Sequence, residues 1–171
     1  MNKLFKVLFL AVAMFVMNGV VSAQVKIAHV NTAEILDAMP DKAKAEKDLE
    51  KFYGDLEKQL KVMGDEYTAK IEDFQANQAS MSNLVKQSKT KEIADLESRI
   101  QQFQASAEQE FEAKRAELLS PILEKIQNAI NAVGKEKGYT YVLDAATGAA
   151  VYIGTDAIDA TKDVKAKLGI K

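Results

Sequence analysis

The segment LEKFYGDLEKQLKVMGDEYTAKIEDF, Leu49 to Phe74, decides the fold of this chain. Its apolar side chains recur every three or four residues and cover 25 residues in seven steps, a period of about 3.6 that is typical of an amphipathic α-helix. The residues around it, from Asp41 to Ser120, include no proline and are mostly good helix formers. The stripe consists of Leu49, Phe52, Leu56, Leu60, Met63, Tyr67, Ile71 and Phe74.

A second apolar stripe predicts a partner for this helix. Between the two stripes lies Gln75 to Lys91, a polar segment without acidic residues in which the periodicity fades. We therefore expect residues 41–120 to form an antiparallel helical hairpin with its tip near 75–91. Each helix would be about 50–60 Å long at 1.5 Å per residue, so the pair projects as a coiled-coil arm. The second stripe begins with Ile93, Leu96, Ile100, Phe103, Ala107 and Phe111.

The first residues of the chain have the layout of a secretory signal peptide. Lys3 and Lys6 precede an apolar run at 7–17, and small residues lead to Ala23. The alternative is an uncleaved membrane anchor, which needs about 20 apolar residues to span a bilayer. This run has only 11. We expect 1–23 to be cleaved after Ala23 on export. The remaining chain has 21 basic and 25 acidic residues, a net charge of −4, and no cysteine for a disulfide.

The segment 24–40 is predicted to contribute one strand and one short helix to a second module. Val25 to Asn31 is short, β-prone and mostly apolar. Thr32 can cap a helix from Ala33 to Met39. Pro40 then interrupts the chain or occupies the first position of the arm helix.

The segment 121–171 completes that module. Pro121 predicts a kink or a restart of the returning helix, and Gly138 predicts its end. A β-hairpin should follow, and then a last helix capped by Asp159 or Thr161. The predicted elements are a strand at Tyr139–Ala145, a turn at Ala146–Gly148, a second strand at Ala149–Gly154 and a helix at Thr161–Leu168.

Three strands form a poor sheet with open edges, which strands of other subunits can close. The predicted fold class is therefore α+β and mostly helical, with a small β-body formed between subunits and one long antiparallel helical hairpin in each. The candidate oligomerisation residues on these strands are Ile27, Val30, Tyr141, Leu143, Val151 and Ile153.

Residues for catalysis or cofactor binding are scarce. The sequence has no GxxxxGK[ST] phosphate loop, no cysteine and a single histidine, His29. Glu34 and Asp37 share a helix face near it, but a zinc site built from one histidine and carboxylates is unusual. Asp144 is expected to form a strand-end turn. We expect no enzyme activity, metal or cofactor.

The ordered set of segments resembles the Skp/OmpH family of periplasmic chaperones. The resemblance rests on the signal peptide, KIAHVN at Lys26–Asn31, the charged hairpin, YVLDA at Tyr141–Ala145, and AVYIG with the closing IDATKDVKAKL at Ile158–Leu168. It implies a homotrimer whose arms surround a cavity and hold unfolded outer-membrane β-barrel proteins without ATP. It implies neither a cofactor nor a nucleic-acid partner.

Two features depart from that family. Its members are often strongly basic, whereas residues 41–117 carry 17 acidic and 13 basic side chains. Only the tip is basic, through Lys86, Lys89 and Lys91, so contact with an anionic membrane is expected there alone. His29 stands where the family usually has an aliphatic residue.

The arm also supplies the candidate client contacts. Gly54 and Gly64 each cost a helix about 1 kcal/mol relative to alanine, which predicts a bendable arm suited to varied partners. The alternative function is an exported coiled-coil spacer or adaptor with one fixed partner. Apolar residues off the main stripe or near the tip are the candidate client contacts: Tyr53, Met81, Leu84 and Val85.

Overall fold

The computed structural model describes residues 25–170, so the predicted signal peptide and its cleavage site lie outside the described residues. Within this range, four helices and three short strands follow one another. Within the described residues, no helix is long and apolar enough to span a membrane. The elements are β1 (Ile27–Val30), α1 (Thr32–Ala38), α2 (Pro40–Asn77), α3 (Asn83–Lys137), β2 (Tyr141–Asp144), β3 (Ile158–Asp159) and α4 (Thr161–Leu168).

The sheet has the order β2-β1-β3, and both outer strands run parallel to β1. Parallel neighbours need a crossover connection, and here the connection from β1 to β2 contains the whole helical hairpin. Ile27 pairs with Tyr141 and Val30 with Asp144, while His29 pairs with Asp159 on the other side. The arm is therefore an extended insertion between two neighbouring strands.

The predicted β-hairpin is wrong. A turn with Gly148 at φ 74° does follow β2, but residues 149–154 form no strand. The chain crosses instead to the far edge of β1, where Ile158 pairs with Ala28 and Ala160 is fully buried. The physical reason is burial, because Ile158 and Ala160 reach the core whereas the side chain of Val151 is 99% exposed.

Residues 25–40 and 121–170, which we call the body, enclose the main core. Ala28 and Val30 point from β1 into a cluster with α1, the C-terminal part of α3, and α4. The largest fully buried side chains in it are Val30, Ile35 and Val164. A strand alternates its side chains between two faces, so β1 sends Ile27 and His29 to the opposite side.

Local signals fix the ends of these elements. Asn31, rather than Thr32, is the N-cap of α1, and its side chain accepts a hydrogen bond from the Glu34 amide at 3.0 Å. Pro40 occupies the start of α2, which is one of its two predicted roles. Gly138 ends α3 at φ 66°, and the Tyr139 amide donates to the Gly134 carbonyl at 2.9 Å, which forms a Schellman motif.

Residues 41–120, which we call the arm, form an antiparallel helix pair as expected from the two stripes. The tip is shorter than predicted, because only residues 78–82 lie outside the helices. Ser82 caps α3, and ion pairs from Lys89 to Asp73 (2.5 Å) and from Lys70 to Glu92 (3.4 Å) join the two helices there. These contacts extend both helices into the segment whose periodicity fades.

The returning helix does not restart at Pro121. It continues from Asn83 to Lys137 with Pro121 inside it. Proline removes one backbone donor, but packing on both sides of it can hold the helix together. Leu118, Ile122 and Ile126 supply that packing against the body core.

Candidate assembly and client-binding surfaces

The face of the sheet turned away from the core carries large apolar side chains that are open to solvent, together with His29. Ile27 and Tyr141 form a cross-strand pair on it, 48% and 60% exposed, and Leu143 is also exposed. Val30, the fourth predicted residue of these two strands, is only 1% exposed, because its side chain points into the body core. The outer face therefore presents Ile27, Tyr141 and Leu143, but not Val30, to a partner.

A second apolar surface lies in the loop between β2 and β3. Val151 and Tyr152 are 99% and 86% exposed, and Ile153 is also exposed. Sequence reasoning placed Val151 and Ile153 in a strand, and it did not single out Tyr152. Three consecutive large apolar residues in water are unusual for a surface without a partner.

The two carboxylates considered together with His29 each form an ion pair. The Glu34 carboxylate binds Lys165 at 2.8 Å, and that of Asp37 binds Lys42 at 2.7 Å. Hydrogen bonding to Asp37 raises the pKa of Lys42. Among residues 25–170, no three His, Cys, Asp or Glu side chains come together in a way that could hold a metal ion.

Asp144 fastens β2 to the start of α1. One carboxylate oxygen accepts from the Thr32 hydroxyl at 2.6 Å, and the other from the Thr32 amide at 3.2 Å. The second oxygen also accepts from the Ala146 amide at 3.0 Å, which shapes the turn after β2. The predicted turn role is thus confirmed, together with a tie to α1 that the sequence did not indicate.

Asp159 performs a similar role at the start of α4. Its carboxylate accepts a hydrogen bond from the Thr161 amide at 2.8 Å, but the N-cap position of α4 is Ala160, so neither of the two predicted caps, Asp159 and Thr161, occupies it. Hydrogen bonding from Thr161 is the main reason why the pKa of Asp159 is lowered, and the charge of His29 contributes to a smaller extent. The pairing of β3 with β1 places this carboxylate opposite His29.

Residues 26–168 match the protein family described as outer membrane protein (OmpH-like). This chain belongs to the OmpH-like family. A chaperone protein Skp of Pectobacterium atrosepticum is 30% identical over 147 residues, which cover 84% of this chain and 86% of that protein. A chaperone protein Skp of Blochmanniella pennsylvanica is 28% identical over 149 residues, which cover 87% and 89%.

The fold has a solved counterpart in the same family. The crystal structure of an OmpH-like outer membrane chaperone from Caulobacter crescentus has a TM-score of 0.72 to this chain. The two are 15% identical, and the alignment covers 83% of this chain and 82% of the other. The mostly helical α+β fold predicted from the two stripes is therefore that of an OmpH-like protein.

The arm of this OmpH-like chain holds its helices together along a narrow seam. Phe52, Phe103 and Phe111 are half-buried in it, as is usual for residues between two helices without a further layer. Tyr53, a predicted client contact, is 51% exposed and meets Phe111 edge-on with the ring centroids 5.8 Å apart. Beside this aromatic pair, the seam opens into a pocket of about 260 Å³ that sequence reasoning did not find.

The predicted tip residues differ in their surroundings. Leu84 and Val85 are exposed, whereas Met81 is half-buried. The pair with Asp73 raises the pKa of Lys89 and lowers that of Asp73. In the described part of the chain, Lys86 and Lys91 form no ion pair, so they carry the remaining positive charge of the tip.

Proposed function

We propose that this chain is an ATP-independent holdase chaperone of the periplasm that binds unfolded outer-membrane β-barrel proteins and prevents their aggregation. Membership of the OmpH-like family and relatives named as chaperones support this proposal. The observation that carries it furthest is the combination of a long arm with a thin seam and a body whose apolar outer sheet face is uncovered. A chain of this kind would associate with copies of itself through the sheet face of the body. Its arms would remain free to bind a client.

We further propose that the active form is a homotrimer. Ile27, Tyr141 and Leu143 would meet the corresponding face of other subunits, and the loop with Val151 and Ile153 would close open sheet edges. Burial of these apolar side chains would favour association, since each Å² of apolar surface removed from water contributes about 25 cal/mol. The arms would then extend from one body and surround a shared cavity.

The tip is the part of the arm proposed to contact an anionic membrane. Lys91 is exposed, Lys86 is half-buried and the neighbouring Leu84 is 77% exposed, so a basic surface lies beside an apolar side chain. The positive charge of Lys89 is partly offset by Asp73. Arms that are net acidic elsewhere would keep such contact at the tip.

Light scattering tests the holdase function. A urea-unfolded β-barrel protein is diluted into buffer without nucleotide, with or without the chain that starts at Gln24. We expect aggregation to be suppressed at an equimolar ratio of trimer to client. Absence of suppression for several β-barrel clients, together with capture of one fixed folded protein, would instead establish the spacer or adaptor function.

Native mass spectrometry with Tyr141→Asp tests the assembly. A buried carboxylate in the subunit interface should dissociate the trimer and abolish holdase activity. Lys162→Asp is the control, because Lys162 is exposed on α4 and forms no ion pair within the described residues. A fully trimeric Tyr141→Asp variant would contradict the proposed interface.

A further inference from the structure

The pocket in the arm seam exists because one position of the second stripe is small. Phe103, Ala107 and Phe111 succeed one another at intervals of four residues on α3 and face α2. The methyl group of Ala107 leaves the space between the two rings unfilled. Leu56 and Leu60 of α2 complete the apolar lining of this cavity, which we call the seam pocket.

The seam pocket is open to solvent on one side and has an aromatic wall there. Tyr53 stands edge-on to Phe111, at an interplanar angle of 74°, and remains half-exposed. Leu56, by contrast, is buried. A side chain entering from solvent would therefore pass the ring of Tyr53 and reach the apolar seam.

Two carboxylates lie among the lining residues and have no cation beside them. Glu57 and Glu108 form neither an ion pair nor a side-chain hydrogen bond with any residue in 25–170. Nearby lysines are engaged elsewhere, since Lys58 binds Asp55 at 3.2 Å and Lys114 binds Glu117 at 2.9 Å. Residues 101–113 of α3 include three glutamates and no lysine or arginine. The rim of the seam pocket is thus negatively charged, and its two carboxylates are free to bind a cation.

We propose that the seam pocket binds segments of unfolded clients in which an aromatic or aliphatic side chain stands next to a lysine or arginine. The apolar side chain would fill the space above Ala107, and the neighbouring cation would lie between Glu57 and Glu108. A guanidinium or ammonium group at the rim also gains from the faces of aromatic rings such as Tyr53. Charge complementarity selects this class over acidic segments, for which the rim is repulsive.

This proposal deepens the holdase function and rests on it for the identity of the ligand. It gives the arm two contact regions of opposite charge, since the tip is basic and the seam pocket acidic. A client whose apolar segments are flanked by either sign of charge would then find a complementary region along the arm.

Fluorescence anisotropy with labelled peptides tests the proposal. Three short peptides of the same length place phenylalanine beside lysine, serine or glutamate in a Gly-Ser background. We expect the lysine peptide to bind about tenfold tighter than the glutamate peptide at low salt, with the serine peptide between them. The difference should shrink as salt screens the exposed carboxylates. Equal affinities of all three peptides would overturn the charge selection.

Matched variants locate the binding. Glu57→Gln with Glu108→Gln should remove most of the preference for lysine, whereas the control pair Glu50→Gln with Glu110→Gln changes the net charge equally and should retain it. Ala107→Leu fills the pocket and should weaken the binding of the lysine and serine peptides to the same extent. Ala105→Leu adds the same side chain at an exposed position of α3 and should have no effect.

Methyl NMR provides a readout that is independent of affinity. The lysine peptide should shift the methyl signals of Leu56, Leu60 and Ala107 while leaving that of Leu84 at the tip unchanged. Shifts confined to the tip or the body would overturn the proposal. Because the peptides are short and soluble, their binding is measured separately from aggregation. Failure of the holdase assay with intact peptide selection would refute the proposed function alone.

Discussion

The body and the arm are stabilised in different ways. Eleven buried apolar residues form one core cluster in and around the body. They come from β1, α1, α4, parts of α2 and α3, and the residues just before α2 and α4. Along the rest of the arm, only Leu56 and Leu96 are buried among the described apolar residues. A helix pair without a further layer has one seam to bury, whereas the body packs helices against a sheet face.

The polar contacts follow the same division. Asp144 in the body accepts two hydrogen bonds from Thr32 at the start of α1 and a third from the Ala146 amide in its own turn. In the arm, contacts between the two helices include exposed ion pairs such as Lys70 with Glu92, which contribute little each. We therefore expect the body to set the position of the helices, and the arm to change shape without loss of the fold.

Core truncation should separate the two regions most clearly. Ile35→Ala removes a fully buried side chain from the body and should lower the free energy of unfolding by about 2–5 kcal/mol. Leu96→Ala removes a buried side chain from the arm, where the two helices can close up or open locally, so its effect on global unfolding should be smaller. Urea denaturation followed by circular dichroism measures both.

The two variants must be compared at the same subunit concentration, because association contributes to apparent stability. Hydrogen exchange should show faster exchange along the whole chain for Ile35→Ala and mainly in residues 41–120 for Leu96→Ala. Equal losses of global stability would mean that the arm and body unfold as a single unit.

Replacing glycine by alanine should have opposite effects on stability in the two regions. A Cβ added at Gly54 or Gly64 meets no atom within 4 Å, so alanine at each should stabilise the arm helix by about 1 kcal/mol. Gly138 has φ 66° at the end of α3, and alanine there should destabilise the body by about 1 kcal/mol. Thermal unfolding and solution scattering measure stability and arm shape.

The double variant Gly54→Ala with Gly64→Ala also tests the bendable arm. Thr68 donates its hydroxyl to the Gly64 carbonyl at 3.0 Å, a contact that often bends helices. A stiffer arm should narrow the range of client sizes that are held. An unchanged scattering profile and client range would show that these glycines do not govern arm flexibility.

The arm was more predictable from sequence than the sheet. Its two stripes repeat the same local signal over many residues, and Pro40 and Gly138 mark helix ends through their own backbone preferences. The sheet depends on which edge of β1 a segment reaches. Val151 and Ile153 have strong strand propensity, but Ile158 gains burial beside Ala28. Propensity is local, whereas that choice depends on the rest of the body.

Prediction of the candidate surfaces from the sequence alone has the same limit. Strand alternation alone places Ile27 and Val30, three residues apart, on opposite faces of β1, but which of the two faces outward depends on the position of the core. The seam pocket could have been suspected from Ala107, the small residue at the stripe position between Phe103 and Phe111. Its unpaired carboxylates could not, because pairing depends on which lysine side chains lie close enough.

The smallest expected effect concerns acid sensitivity. Hydrogen bonding from Thr161 lowers the pKa of Asp159, so its carboxylate stabilises the folded chain above the ordinary value of 3.8, and this contribution is lost as pH falls below it. Asp159→Ala should lower stability at neutral pH by about 0.5–1 kcal/mol, since the carboxylate is largely exposed. The difference from the wild type should shrink toward pH 3.

The arm offers a matched comparison in Asp73, whose pKa is lowered mainly by its hydrogen bond with Lys89. Its pair lies at the exposed tip, so Asp73→Ala should leave global unfolding nearly unchanged at every pH and speed hydrogen exchange only near residues 78–82. Asp159→Ala should instead act on α4 and, through it, on the body. If both variants had the same pH-dependent effect on global unfolding, the tip would be as tightly coupled to the fold as the body is.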